Sequence, residues 1–491
     1  MRLEFVAGLA LGVLLAPDWL SAETTAAPKL ELEPCRISDM RGLVSVAARC
    51  GKFAVPEDPD DPAGKWIELA VAVVPAIATR PKPDPLFLLA GGPGQGAIEG
   101  FVPLLDAFAG IHRERDLVMV DQRGTGGSNR LDCDMPDDAW ESDEIPPAEL
   151  QRIARECLSK LPGRPEFYTT SIAVRDLDAV RAAHGYEHIN VFGGSYGTRV
   201  AQHYARRYPG RTRTITIDSV VPPDLSLVPE IAIEAQRALE RVFARCAADP
   251  QCNGHFPKLA DQFAHVDARL RRGPVTVPLP DPVTGELSSI EVTRNHLVTM
   301  TRMLSYSART AALLPLLIHE AATRGNYGPL AAQALMAGED LERMIAMGMH
   351  NSVVCSEDAP YFAGAVDRAA LEKSYIGPVM YDGMKALCEV WPRGAVDSDF
   401  HEPLKSSIPA LLLSGEFDPA TPPEYGTAAA AGFEQHLHLV IPGQGHGQSL
   451  PCVQRLLRDF IERGTVDGLD ATCVSDIRPA PFFLSFSGTA P

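Results

Sequence analysis

Gly193-Gly194-Ser195-Tyr196-Gly197 has the spacing G-x-S-x-G, in which small residues two positions either side of a serine leave room for a sharp strand-to-helix turn. Such a turn lifts the hydroxyl clear of the chain and aims the next backbone N–H, that of Tyr196, at a developing oxyanion. Serine is a weak nucleophile without a base, and the base needs a carboxylate to hold its tautomer. Asp418, in Gly415-Glu416-Phe417-Asp418-Pro419, and His446, in Gly443-Gln444-Gly445-His446-Gly447, follow the serine in that order. The glycines beside His446 let its loop reach back to Ser195. Glu416 is the rival acid, two residues nearer the preceding strand. A second oxyanion donor is expected from Ala90-Gly91-Gly92-Pro93-Gly94-Gln95-Gly96, where we assign the amide of Gly92 to act with that of Tyr196. Together these residues describe acyl transfer through a covalent intermediate on Ser195.

Loops so far apart in sequence need a scaffold that gathers them at one edge. Residues 86–90, 117–120, 189–192 and 214–217 are short apolar runs, the pattern of buried parallel strands whose ends carry functional loops, and 66–74 reads as a further strand. Between them, 172–185 places Ile172, Val174, Leu177, Val180 and Ala183 at helical spacing, and 196–208 is a second helix closed by Pro209-Gly210. This alternation predicts a doubly wound α/β sheet. From 223 to 403 the pattern turns mainly helical, as in 231–246 and 311–324, with a proline-rich break at 274–282. Strands return at 408–415 and 438–441. The expected organisation is a core formed by 23–222 and 404–491, with 223–403 as a helical cap over the strand ends.

The 491 residues are 45% hydrophobic and 22% charged, enough to bury a large core. A net charge of −18 and the lack of any Lys/Arg-rich run argue against a nucleic-acid partner. Residues 1–22 read as a signal peptide: Met1-Arg2, an apolar run over 5–16, then Leu20-Ser21-Ala22 before Glu23. That run is too short for a bilayer span, which takes about 20 residues, and no later segment is long enough, so no stable membrane insertion is expected. The ten cysteines fall as neighbours, and pairing Cys35 with Cys50, Cys133 with Cys157, Cys246 with Cys252, Cys355 with Cys388 and Cys452 with Cys473 closes short loops without crossing the core. Disulfides fit an exported protein, periplasmic or secreted. No C-x-x-C or Cys/His zinc spacing occurs, and His436-Leu437-His438 sets two imidazoles on one strand face without a third ligand, so no metal or organic cofactor is expected.

Gly91-Gly92-Pro93-Gly94, Asp121-Gln122-Arg123-Gly124-Thr125-Gly126, the Ser195 pentapeptide, Gly415-Glu416-Phe417-Asp418-Pro419 and Gly445-His446-Gly447 occur in one order along the chain. In this the chain resembles the α/β-hydrolase serine exopeptidases of the prolyl iminopeptidase and tripeptidyl aminopeptidase type. The resemblance runs from about residue 50 to the C-terminus. It implies Ser195, Asp418 and His446 as the catalytic residues and a peptide as substrate. It also implies that Asp121 and Arg123 brace the site, Arg123 by pairing with an acid beneath the nucleophile loop. Ala90 stands where many prolyl iminopeptidases have His, and the large cap and the cysteines look more like the secreted tripeptidyl branch. An aminopeptidase must also hold the substrate's ammonium, which calls for a carboxylate in a partly dry pocket. Glu357 and Asp358, beside Cys355, are the first candidates, and Glu230 and Glu234, one helical turn apart, the second. The triad would cleave esters as readily as amides, so a carboxylesterase is the alternative, and a binding protein on a hydrolase scaffold the alternative outside enzymes.

Overall fold

The computed structural model describes residues 30–133, 145–280 and 284–489, and the expected signal peptide lies outside the described residues. The sheet opens with an antiparallel meander of β1 (Glu33–Ser38), β2 (Ser45–Pro56) and β3 (Trp66–Val74). Parallel pairing then joins β4 (Leu86–Leu89) to both β5 (Leu117–Val120) and β6 (Ile189–Gly194), and β6 to β7 (Thr212–Asp218). Two further strands, β8 (Val275–Pro280) and β9 (Leu287–Val292), pair only with each other inside the insertion. The main sheet is completed by β10 (Ala410–Gly415) and β11 (His436–Ile441), giving the order β1-β2-β3-β5-β4-β6-β7-β10-β11.

Alternate residues of the central strands feed two cores. Phe87, Leu89, Val191 and Ile215 pack with Val174, Leu177 and Val200 from helices on one face. Leu86, Leu88, Leu117 and Met119 pack with Phe101, Phe108, Leu457 and Phe460 on the other. Burial on both faces is why these strands read as unbroken apolar runs. The chain leaves β4 toward β5 on one side and returns through β6 on the other, so a crevice opens at the carboxyl ends of β4 and β6. The loop of Gly91–Gly94 and the turn at Ser195 both lie there.

The insertion has its own core, built on Leu239, Val242, Val266, Leu297, Met300, Ile318 and Leu330, which Phe482 from the C-terminal segment joins. It is not walled off from the sheet domain, since Ala346, Met349 and Val353 enter the core that Phe87 and Val191 share. The proline-rich stretch expected to break the helices forms β8, an edge strand that tolerates Pro278 and Pro280 because it pairs on one side only. Five disulfides join Cys35 to Cys50, Cys133 to Cys157, Cys246 to Cys252, Cys355 to Cys388 and Cys452 to Cys473. Among the described residues no helix is long and apolar enough to cross a membrane.

Candidate active site

β6 ends at Gly194 and the helix Tyr196–Arg207 begins two residues later, so Ser195 alone makes the turn, at φ 55° and ψ −126°. A non-glycine residue held there costs of order 1–3 kcal/mol, which the surrounding packing must offset. The motif glycines explain how the turn fits. A Cβ on Gly193 would lie 2.2 Å from the Gly197 carbonyl oxygen, and one on Gly197 would lie 2.3 Å from that of Leu89. The Ser195 N–H donates to Asp218 O at 2.9 Å, and its carbonyl accepts the Thr198 N–H at 2.8 Å.

Asp418 and His446 meet across the loops after β10 and β11. His446 Nδ1 lies 3.0 and 2.9 Å from the two carboxylate oxygens of Asp418, which also accept the N–H groups of Ala420 and Thr421 and the Thr421 hydroxyl. Burial works against the charge on Asp418, but His446 and these donors outweigh it and hold the carboxyl below its ordinary range. Burial likewise favours a neutral His446. Asp418 first and Asp218 next outweigh it, leaving the imidazole above its ordinary 6.5. Glu416 faces elsewhere and accepts the Gly443 N–H at 2.7 Å. The histidine loop is seated by its own N–H groups: His446 donates to Tyr306 O at 2.7 Å, Gly447 to Ser219 Oγ at 2.8 Å and Gln448 to Asp218 Oδ2 at 2.6 Å. The Tyr306 ring, from the insertion, packs edge-on against His446 with centroids 5.0 Å apart. The Ser195 hydroxyl makes no hydrogen bond among the described residues, and hydrogen bonds of this kind commonly tighten only with substrate bound.

Across the crevice, the Gly91–Gly94 loop touches the nucleophile turn so closely that a Cβ on Gly91 would lie 3.1 Å from Ser195 Cβ. The backbone N–H groups of Gly92 and Tyr196 have no hydrogen-bond partner among the described residues, so both remain free to bind an oxyanion. The loop is braced by the insertion. Ala346 N donates to Gly94 O at 2.9 Å, Gln95 bridges Ile345, and the His350 ring nitrogen lies 3.2 Å from Pro93 O.

The α/β hydrolase fold model matches residues 84–450. The chain belongs to the α/β-hydrolase family. It is 26% identical to the serine protease Hip1 of Mycobacterium tuberculosis over 92% of each chain. It is 32% identical to a tripeptidyl aminopeptidase of Streptomyces lividans over 36% of each chain. To carboxylesterase B of Mycobacterium tuberculosis it is 27% identical over 91% of this chain and 90% of that one.

In this α/β hydrolase the Asp121-Gln122-Arg123 stretch holds three different elements. Asp121 accepts the N–H groups of Ile98 and Gly127 at 2.9 and 2.8 Å, and burial pushes its carboxyl up. Arg123 does pair with an acid, but with Asp176, bidentately at 2.6 and 2.8 Å, on the helix Thr170–His184 rather than beneath the nucleophile turn. Gln122, which the sequence did not single out, donates to the Tyr196 hydroxyl at 3.0 Å. That hydroxyl also bonds Thr170 Oγ1.

The first amine-anchor candidates are engaged within the protein, Asp358 on the helix that follows Ser195 and Glu357 on the helix Thr170–His184. Asp358 pairs with Arg199 at 2.8 Å, both nearly unexposed. The two Glu357 oxygens accept the N–H and hydroxyl of Thr170 at 2.7 and 3.0 Å, and burial pushes this carboxyl up to about 7. Glu234 bonds Arg237, whereas Glu230 is half-buried, has no partner among the described residues, and has its carboxyl pushed up by burial. Facing both is Tyr425, in the helix Pro423–Ala430 after Asp418, whose buried hydroxyl is also without a partner. His438 reaches Ser414 Oγ at 3.0 Å and His436 reaches Phe433 O at 2.7 Å, each within the protein.

Proposed function

We propose that the protein is an exported serine exopeptidase, an aminopeptidase that releases one or a few residues from peptide N-termini through an acyl-enzyme. Ser195 attacks the scissile carbonyl, His446 takes its proton and returns it to the leaving amine, and Asp418 holds His446 in the tautomer that can do so. The amides of Gly92 and Tyr196 bind the oxyanion. The observation that carries this reading is His446 Nδ1 on both oxygens of buried Asp418, in a loop hydrogen-bonded to Asp218, the residue that also accepts the Ser195 N–H. Similarity to a serine protease over nearly the whole chain and to a tripeptidyl aminopeptidase over part of it supports peptides as substrates. The disulfides support export.

With Glu357 engaged by Thr170 and Asp358 by Arg199, the substrate ammonium is assigned to Glu230, a half-buried carboxylate with no hydrogen-bond partner among the described residues. The similarity to carboxylesterase B favours a second reading, an esterase with no amine site. A panel of peptidyl amides with free and N-acetylated termini, set beside short acyl esters, separates the two. Preference for the free amine, lost through a higher KM in Glu230→Gln, is the expected result. Equal rates on acetylated and free termini, with esters cleaved faster, would establish the esterase.

A further inference from the structure

β7 ends between the two loops that have to meet. Its last residue, Asp218, accepts the Ser195 N–H on its backbone carbonyl at 2.9 Å and the Gln448 N–H on carboxylate Oδ2 at 2.6 Å. Ser219 follows at a φ of 61°, its hydroxyl accepting the Gly447 N–H at 2.8 Å and its own N–H donating to Leu413 O at 2.9 Å. These two residues therefore fasten the amide of the nucleophile, the two amides that follow His446, and the strand that leads to Asp418.

We propose that Asp218 is a positioning residue, which with Ser219 sets the nucleophile turn against the histidine loop and whose carboxylate acts on His446 as a second acid beside Asp418. The inference rests on the reading of Ser195 and His446 as nucleophile and base. A mere spacer would not need a charge. Asp218 is 3% exposed, and burial pushes its carboxyl up to about 7, while the Gln448 N–H and His446 pull it down and Asp418 adds to the rise. An asparagine would accept the same backbone N–H without that cost. A carboxylate adds what an amide cannot, a preference for the imidazolium that His446 becomes during proton transfer. The titratable groups facing Asp218 are His446 and Asp418, so removing its charge acts on the base directly.

Two variants divide geometry from charge. Asp218→Asn keeps an acceptor for Gln448 and removes the charge, while Ser219→Ala removes the acceptor for Gly447 and a 3.4 Å donor to Asp218 Oδ1 but keeps the carboxyl group. On a short acyl ester, Asp218→Asn should lower kcat about 10- to 100-fold with KM within about twofold, and move the acid limb of kcat/KM to lower pH. Ser219→Ala should lower kcat about 2- to 10-fold and move the acid limb less than Asp218→Asn does, since it removes only one weak donor to the carboxylate. Wild-type kcat and an unmoved limb in Asp218→Asn would overturn the proposal. Should that variant fail to fold, wild-type kcat in Ser219→Ala overturns it instead. Ser195→Ala, assayed in parallel, keeps the failures apart: activity there removes the nucleophile reading and the role of Asp218 with it. An inactive Ser195→Ala beside a wild-type Asp218→Asn removes the role of Asp218 alone.

Discussion

Asp418→Asn changes one atom at the point where the mechanism is most exact. Oδ1 of Asp418 accepts the N–H groups of Ala420 and Thr421, each at 2.9 Å, and Oδ2 accepts the Thr421 hydroxyl at 2.8 Å and lies 2.9 Å from His446 Nδ1. Two backbone donors require the asparagine to keep its oxygen at the Oδ1 site, so its NH2 group takes the Oδ2 site. The Thr421 hydroxyl can turn its proton away and accept from that NH2; the oxygen at the Oδ1 site, 3.0 Å from Nδ1, already accepts two backbone N–H groups, so the NH2 facing Nδ1 at the Oδ2 site favours Nδ1 as an acceptor. Nδ1 becomes the acceptor, the ring proton moves to Nε2, and the ring can no longer take a proton from Ser195. The fold keeps its hydrogen bonds while the base is lost.

The expected loss is about 10⁴ in kcat, or roughly 5 kcal/mol of transition-state stabilisation, with KM little changed. The pH profile supplies a second reading. Activity needs neutral His446, which Asp418 and Asp218 hold above 6.5 against burial, so wild-type kcat/KM should fall as pH drops through a value above 6.5. Without the Asp418 charge, the largest raising cause is gone and the residual activity should hold to lower pH. Hydrolysis of an activated ester and a peptidyl amide over roughly pH 5 to 9, with the rate of Ser195 labelling by a fluorophosphonate, measures both effects. A kcat within about tenfold of wild type, or an acid limb that does not move, would refute the tautomer argument.

Gly193→Ala places a methyl group 2.2 Å from the Gly197 carbonyl oxygen, so the turn must open; fluorophosphonate labelling should fall by about 100-fold or more and Tm should drop, by an overpacking cost of about 1–3 kcal/mol. Glu357→Gln weakens the hold on Thr170, so free-amine and N-acetylated peptides should lose turnover equally, by about 10-fold in kcat. A rise in KM confined to free-amine peptides would make Glu357 the anchor after all. Reduction of the disulfides, each typically contributing 2–4 kcal/mol, should lower Tm, and alkylation followed by mass spectrometry should find no free thiol until the protein is reduced. Free thiols in protein from its own compartment would refute the export reading.

The parts of the fold legible in the sequence are those where one physical demand dominates. Strands such as β4 and β5, buried on both faces, show as apolar runs, and the nucleophile turn shows because Gly193 and Gly197 have no room for a side chain. β1, at the sheet edge, and its neighbour β2 stayed hidden because exposed and buried positions mix there and polar residues such as Glu33, Arg36 and Lys52 intervene. The histidine and its acid could be read from order and glycines. Long-range pairing could not. That Asp358 serves Arg199 and Arg123 serves Asp176 depends on which surfaces meet, and a charged residue in sequence looks the same whether it waits for a ligand or neutralises a buried partner.

The insertion's role follows from those pairings. A lid that only filtered substrates would rest on the rim of the crevice and leave the catalytic loops self-supporting. Here the insertion donates to Gly94, bridges Gln95, packs Tyr306 on His446, holds Thr170 through Glu357 and pairs Asp358 with Arg199 on the helix after Ser195. The disulfide from Cys355 to Cys388 pins the segment that carries those two acids. The Gly91–Gly94 loop and the His446 loop are thus held partly by residues between 306 and 350, so the insertion forms part of the wall around these loops. Contacts from one insertion to both loops give the Gly91–Gly94 loop and His446 a shared support.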